Sequence, residues 1–568
     1  MNRNIAYFSM EIALHPQIPT YSGGLGVLAG DTLRSAADLG VRIVGVTLLA
    51  RKGYFHQRID ADGKQTEEDV RWDIEKHLTD SGARTTVKLE GRDVHVQAWR
   101  FNVAGETGAT VPVFLLDTDL PENDEEARKL TDHLYGGGDR YRLCQEAILG
   151  YGGVRILNEL GYNEIETYHM NEGHSALLTM ELLGEEPEGL VNASGQQGLD
   201  AINHVREKCV FTTHTPVPAG HDRFPLDLVE SVIGPNHVCS VSKNVCQANE
   251  LNMTHLALSM SGYVNGVARR HSEVSREMFA EYKVDAITNG VHAGTWVSQP
   301  FAELFDEHIA GWREDNFSLR YALMLSNQDI WEAHQKAQKN LIAHIYEQTG
   351  IAFDENVLTL GFARRSTAYK RATLLVSDVE RLLKISRDIG KIQIVYAGKA
   401  HPKDLEGKRL IKEIVGKSKE LNGEVPIVYL PNYEMTLAHR IVAGVDIWVN
   451  TPEPPHEASG TSGMKAAMNG VPSLSVLDGW WIEGCIEGLT GWAIGTRNGE
   501  VHDANAASLY EKLEKTIVPM YYNDRDRFID VMRHAIAING SFYNTQRMVH
   551  EYVEKAYSYT SSQRFTRT

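Results

Sequence analysis

Short, continuous apolar runs rich in β-branched residues, separated by amphipathic stretches, restrict the fold of this chain more than any other feature. In the first half such runs cover residues 41–50, 111–116, 208–213 and 284–288, and in the second half 357–362, 392–397, 426–430, 446–450 and 472–477. Segments of helical period, such as 373–389 and 405–421, separate the later set. A strand that is apolar on both faces needs cover on both faces, which a parallel sheet flanked by helices provides. Ten or so strands make one such sheet too wide. The expected fold class is therefore α/β, with two doubly wound, Rossmann-like domains facing across a cleft. The boundary is expected after Asn289-Gly290-Val291, giving domains over 1–295 and 296–568. The last ~40 residues read as helical and are free to pack back on the first domain. The stretch 184–198 reads as a surface loop.

Charge and composition narrow the function. The chain carries 57 basic and 75 acidic side chains, a net charge of −18, which disfavours nucleic acid and anionic membranes as partners. Its longest apolar stretches fall well short of the roughly 18 residues a bilayer span needs. Glu11 interrupts any apolar segment near the start, so a secretory signal is not expected and the cytoplasm is. The five cysteines (Cys144, Cys209, Cys239, Cys246 and Cys485) are odd in number and scattered. Cys239 and Cys246 lie too far apart for a C-x-x-C pair, so free thiols in a reducing compartment are expected.

Two facing α/β domains place ligands in the cleft at the carboxyl ends of their strands. Three segments stand out there. Residues 21–31 (YSGGLGVLAGD) hold four glycines in eight positions, Gly23, Gly24, Gly26 and Gly30. They permit close backbone approach and open a helix whose N-terminus favours an anion. The dinucleotide fingerprint fits formally, but it requires an acidic residue ~20 positions later at a strand end. Ala50-Arg51-Lys52 stands there instead, so a phosphate or sugar loop is the better reading. Residues 364–371 (RRSTAYKR) carry four cations and no acid. A solvated helix start would set those cations against the helix dipole, so a phosphate clamp built on Arg forks and a Lys point charge is favoured. Residues 457–470 (EASGTSGMKAAMNG) follow the run 446–450 and a proline-rich turn. Lys465, in the first turn of the expected helix, would be desolvated among cations, which lowers its pKa and favours Schiff-base chemistry over an ordinary exposed lysine. Further polar residues fall at strand ends: Glu11, His169 to His174 with Glu172 between them, Thr212 to Thr215 with His214, and Asn289. The spacing of His169 and His174 is not that of a zinc helix. No catalytic metal is expected.

Taken together, these residues make the sequence resemble the α-glucan (glycogen, maltodextrin) phosphorylase family. The segment EASGTSGMK, Glu457 to Lys465, is similar to the family's pyridoxal-phosphate segment. Further similarities are Tyr7-Phe8-Ser9-Met10-Glu11, Gly23-Gly24-Leu25-Gly26, Val264 to Ala268 with His271-Ser272-Glu273, Thr288-Asn289-Gly290, Tyr369-Lys370-Arg371 and Asn432-Tyr433. The resemblance implies a GT-B fold, pyridoxal 5′-phosphate as cofactor, and reversible, retaining phosphorolysis. In that reaction the non-reducing-end glucosyl unit of an α-1,4-glucan passes to orthophosphate, giving glucose 1-phosphate. By family position, Lys465 bears the cofactor, and Arg364, Tyr433, Thr461 and Gly460 hold it. Arg365 and Lys370 hold the substrate phosphate. Glu457, Ser459, Gly460, Asn289 and His214 grip the glucosyl unit, His214 chiefly through its carbonyl. Glu11, Gly23, Gly24 and Leu25 complete the sugar site, and Glu172 and His174 lie near the glucan acceptor. Two phosphates ~5 Å apart repel by about 3 kcal/mol per unit-charge pair at an effective dielectric near 20, which the cluster 364–371 would offset. Departures from the family pattern are Arg364 for a usual Lys, Thr367 for a usual His, Ser462-Gly463 beside the lysine, and glycines at 136–138 in the gate loop. A homodimer is implied only by analogy. Two other functions compete. A nucleotide-sugar glucosyltransferase of the same fold would show Glu-x7-Glu, but Lys465 stands eight positions after Glu457. A silent glucan-binding homologue would need no phosphate clamp.

Overall fold

The computed structural model describes residues 3–186, 196–217, 220–235, 238–421, 423–496 and 502–558. Most of the loop expected over 184–198 lies outside them. The apolar runs form two sheets. The first has nine strands in the order Asp285–Ala286, Tyr263–Gly266, Cys209–Thr212, Thr167–Asn171, Ile5–Ser9, Ile43–Leu48, Thr110–Asp117, Arg92–Ala104 and Thr79–Leu89. The first seven run parallel, and the last two join as an antiparallel edge. The second sheet is parallel throughout, in the order Ile427–Leu430, Ile392–Ala397, Leu358–Ala363, Ile447–Asn450, Ser473–Val476 and Gly491–Ile494. Numbered along the chain this is 3-2-1-4-5-6, the doubly wound order with its switch point between Leu358–Ala363 and Ile447–Asn450.

Both faces of the strand Ile5–Ser9, central in the first sheet, are covered, and all five of its residues are buried. Ala6 and Phe8 join one hydrophobic cluster with Leu143, Leu149 and Val154. Ile5 and Tyr7 join another with Leu33 and Ala36 of the helix Gly24–Asp38. Each large apolar side chain buried this way contributes about 1.5–3 kcal/mol. That helix lies close to the loop after the first strand, where a Cβ at Gly30 would meet the Ala13 carbonyl oxygen at 2.1 Å. The C-terminal helix Thr545–Tyr552 packs beside it. Ser35 and Thr545 hydroxyls are 2.6 Å apart, and Met548 and Tyr552 cluster with Leu28, Val210 and Ile287.

A hairpin, His56–Ile59 and Gln65–Glu68, reaches from the first half to the second. Buried Gln57 donates to the Gly398 carbonyl at 2.8 Å and accepts from Asn432 N at 2.8 Å. Buried Gln65 donates to the Ala400 carbonyl at 2.8 Å and accepts from Ala400 N at 3.0 Å.

The cysteine expectation needs correction. Cys239 and Cys246 form a disulfide, while Cys144, Cys209 and Cys485 are not disulfide-bonded. The short strand Cys246–Gln247 folds back along Glu250–Asn252 and meets the turn Val238–Ser240, leaving the two Cα atoms 5.3 Å apart. A seven-residue separation is therefore bridged by chain reversal, which a search for C-x-x-C spacing does not register. No helix among the described residues is long and apolar enough to cross a membrane.

Candidate active site

The carboxyl ends of the two parallel sheets carry the polar residues. After the strand Leu358–Ala363 the chain does not start a long helix. It turns through short 3-10 segments at Ala368–Lys370 and Ala372–Val376. This turn directs Arg364 and Lys370 at one carboxylate. Arg364 donates to Glu457 Oε2 at 2.5 Å and also to the Asn450 side-chain oxygen, and Lys370 Nζ donates to Glu457 Oε2 at 2.7 Å. Glu457 is only 6% exposed. Burial would raise its carboxyl, but the Arg364 and Lys370 charges outweigh it and hold Glu457 down to about 2. Two cations share one anion here, and exposed Arg365, beside Tyr369 and Tyr54, adds further positive charge. Arg371 is spent on structure, donating to the carbonyls of Thr451 and Pro452 at 2.9 and 2.6 Å.

The segment after Glu457 is tightly built. Gly460 has φ +72°, a conformation that favours glycine. The Ser459 carbonyl accepts from Trp480 N at 2.9 Å, while the Ser459 hydroxyl is buried with no partner among the described residues. Asp478 accepts from the backbone of Glu457 and Gly479 at 2.8 and 2.9 Å; burial nevertheless raises its carboxyl to about 7. The helix Ser462–Ala467 then buries Lys465 to 7% exposure, with Nζ 3.8 Å from the centre of the Trp296 ring. Its amine makes no hydrogen bond to a described residue. Burial brings it down to about 8, and Asp31 acts in the opposite direction.

The first sheet carries a second set of buried polar residues. Buried Glu11 accepts from Ser22 N at 2.5 Å, Gly23 N at 3.1 Å and the Tyr135 hydroxyl at 2.9 Å. The start of the glycine-rich helix is thus already occupied by a carboxylate of the chain itself. Leu25 and Gly24 begin that helix beside it. Glu172, buried at φ +71°, accepts from His214 N at 2.7 Å and the Thr215 hydroxyl at 3.0 Å, yet burial lifts its carboxyl to about 7. His214 Nε2 lies 2.6 Å from the Asn171 side-chain oxygen, and burial lowers the imidazole to about 3, so it is neutral. His174 sits 3.3 Å from Asp222, which also takes Arg142 at 2.9 Å. Asn289 is buried, with its side-chain oxygen unpartnered among the described residues and its carbonyl held by Arg547 at 3.0 Å.

The structure joins Arg364, Lys370, Glu457 and Asn450 in one cluster, and Glu172 and His214 in another. It does not bring Arg365 onto Glu457. Thr461 caps the Lys465 helix without a side-chain hydrogen bond, and Tyr433 lies half-buried near Arg364. Sequence reading missed Trp296, Asn450, Asp478, Asp222 and Arg142. Asn450 and Asp478 carried a usable signal, since the first ends the run 446–450 and the second directly follows the run 472–477. Lys403 Nζ, donating to the Gly137 carbonyl at 2.6 Å, ties the second half to the loop that bears Tyr135. Among the described residues no group of three or more His, Cys, Asp or Glu could hold a metal ion.

The residues fit a phosphorylated carbonyl cofactor. A buried amine without a hydrogen bond can condense with an aldehyde, and cations in excess of Glu457 can take a phosphate. Comparison with known proteins gives the family. The carbohydrate phosphorylase model matches residues 160–565. The chain is 39% identical to maltodextrin phosphorylase of Thermococcus litoralis over 98% of its own length and 70% of that protein's. It is 37% identical to glycogen phosphorylase of Mycobacterium tuberculosis over 99% and 72% of the two chains, and 35% identical to that of Aquifex aeolicus over 98% and 86%. A family model covering most of the chain and these near-full-length similarities establish that the chain belongs to the carbohydrate phosphorylases, enzymes that transfer glycosyl units.

Proposed function

We propose that this enzyme is an α-1,4-glucan phosphorylase that uses pyridoxal 5′-phosphate and works in the cytoplasm. It would move the non-reducing-end glucosyl unit of glycogen, starch or maltodextrin to orthophosphate with retention, in a GT-B arrangement of domains 1–295 and 296–568. A homodimer remains the family analogy. The observation that carries the reading is the cation pair Arg364 and Lys370, which shares the single carboxylate of Glu457, together with the buried Lys465, whose amine has no hydrogen-bond partner among the described residues. A binder of neutral glucan has no use for that excess of positive charge.

Lys465 would hold the cofactor, with Arg364, Thr461 and the Gly460 backbone on its phosphate and Tyr433 packed against it. When bound, the cofactor supplies a phosphate monoester whose second pKa near ~6 suits proton exchange at neutral pH. Arg365 and Lys370 would orient orthophosphate. The Ser459 hydroxyl and the Asn289 side-chain oxygen, buried without protein partners among the described residues, are free to take glucosyl hydroxyls, together with Glu457. Neutral His214 would present its backbone carbonyl to the positive charge that develops at the sugar carbon, without adding an opposing charge. Glu11, with Gly23, Gly24 and Leu25, would bound the sugar, and Glu172 and His174 the acceptor end of the glucan. The test is incubation with maltoheptaose and phosphate. Glucose 1-phosphate should form, and Lys465→Ala should abolish it; undiminished formation by that variant would overturn the assignment.

A further inference from the structure

Lys465 is buried, so something must fix where its amine points before any ligand arrives. Glu457 is already committed to Arg364 and Lys370. The amine instead lies over Trp296, 3.8 Å from the ring centre. The ring itself is fully buried and is held at its edge, where Trp296 Nε1 donates to Asp31 Oδ2 at 2.7 Å. Asp31 is buried on the helix Gly24–Asp38, so this contact crosses from the first half of the chain to the second. The same carboxylate accepts from His292 N at 3.2 Å, and Arg34 lies 3.4 Å away. His292 is fixed in turn by Asp38, 2.8 Å from Nε2. Asn469, in the turn after the Lys465 helix, donates to the Trp296 carbonyl at 2.8 Å, which locks the ring and the lysine helix into one unit.

We propose that Asp31 is a positioning residue for Lys465, acting through the Trp296 indole. A carboxylate on the indole N–H makes the ring a better partner for a cation, and its charge acts on the ammonium in the same direction. Together they hold the amine on the Asp31 side and away from Glu457, which leaves Glu457 to the phosphate-binding cations. The charged and titratable groups around the lysine agree with this arrangement. Asp31 favours the ammonium and burial disfavours it. Arg34 partly neutralises Asp31, and the ring of His439 lies 6.4 Å from Trp296. The inference deepens the reading of Lys465 as the cofactor-bearing lysine and rests on it for its functional meaning, but the contact itself can be tested separately.

The test measures the rate at which Lys465 reacts with acetic anhydride as a function of pH, by peptide mass spectrometry, on the full chain prepared without cofactor. The variants are Asp31→Asn and Trp296→Phe, and the second keeps the fold testable if the first does not fold. With Asp31→Asn the midpoint should fall, so that labelling near neutral pH speeds up on the order of tenfold. Trp296→Phe, which keeps a ring but loses the N–H, should shift it in the same direction by less. An unchanged midpoint in a folded variant overturns the proposal. If the midpoint shifts but Lys465 takes up no pyridoxal 5′-phosphate, the positioning stands and the cofactor reading fails. Uptake with an unchanged midpoint leaves the cofactor reading standing and removes Asp31 from its role.

Discussion

Replacing Glu457 with Gln keeps the side-chain shape and removes the one charge that Arg364 and Lys370 share. In the native enzyme the carboxylate takes these two donors at 2.5 and 2.7 Å, almost out of contact with water. Holding its carboxyl at about 2 instead of the ordinary 4.5 corresponds to about 3 kcal/mol of favourable interaction. Removing one partner of a buried pair typically costs about 3–5 kcal/mol, because the remaining charge stays buried and unmatched. Glu457→Gln should therefore melt at a lower temperature by calorimetry in phosphate-free buffer. Orthophosphate should restore much of the loss, since it supplies the missing negative charge. Its dissociation constant, read by titration calorimetry, should tighten by on the order of tenfold, because phosphate no longer has to displace a carboxylate. Activity should nonetheless fall, as Glu457 is also assigned to the glucosyl unit. Unchanged melting together with unchanged phosphate affinity would refute the electrostatic argument.

Other outcomes follow from the same geometry. Arg365→Ala should raise the KM for phosphate far more than that for maltoheptaose, because Arg365 is exposed and is not paired with Glu457; an unaltered phosphate dependence removes it from this role. Glu172→Gln tests the opposite pKa direction. Between the ordinary value of 4.5 and about 7, folded protein keeps a proton on Glu172 that the unfolded chain has lost, so stability falls as pH rises through that window. The variant lacks this loss, and its melting temperature relative to the parent should improve between pH 5 and pH 8, by an amount corresponding to up to about 3 kcal/mol. A difference that does not vary with pH contradicts the buried-acid assignment.

Five of the six strands of the second sheet were legible in the sequence as short apolar runs between helical segments; Gly491–Ile494 was not, because its four residues, GWAI, hold a single β-branched side chain. The strands Ile5–Ser9 and Thr167–Asn171 were not, since Ser9, His169 and Asn171 dilute the apolar signal; these side chains are satisfied by partners distant in sequence, such as Asn171 donating to Ser9 at 3.1 Å. The antiparallel strands Thr79–Leu89 and Arg92–Ala104 are also polar on their exposed face, so no continuous run marks them. In the site, cation excess over residues 364–371 and the small residues around Lys465 were visible locally. The sharing of Glu457 by Arg364 and Lys370 was not, because it depends on two loops meeting across the switch point of the sheet. Trp296 and Asp31 lie far from Lys465 in sequence and carry no spacing signal at all. Glu11 shows the same limit: a glycine-rich helix start reads as an empty anion site until the fold puts the chain's own carboxylate there.

On this reading the positive pocket seats a phosphorylated carbonyl cofactor on one particular lysine, Lys465. Borohydride reduction of enzyme supplied with pyridoxal 5′-phosphate, followed by peptide mass spectrometry, tests it most directly. A single pyridoxyl adduct on Lys465 is the expected result. An adduct on another lysine, or none, would mean that Lys465 does not bear the cofactor.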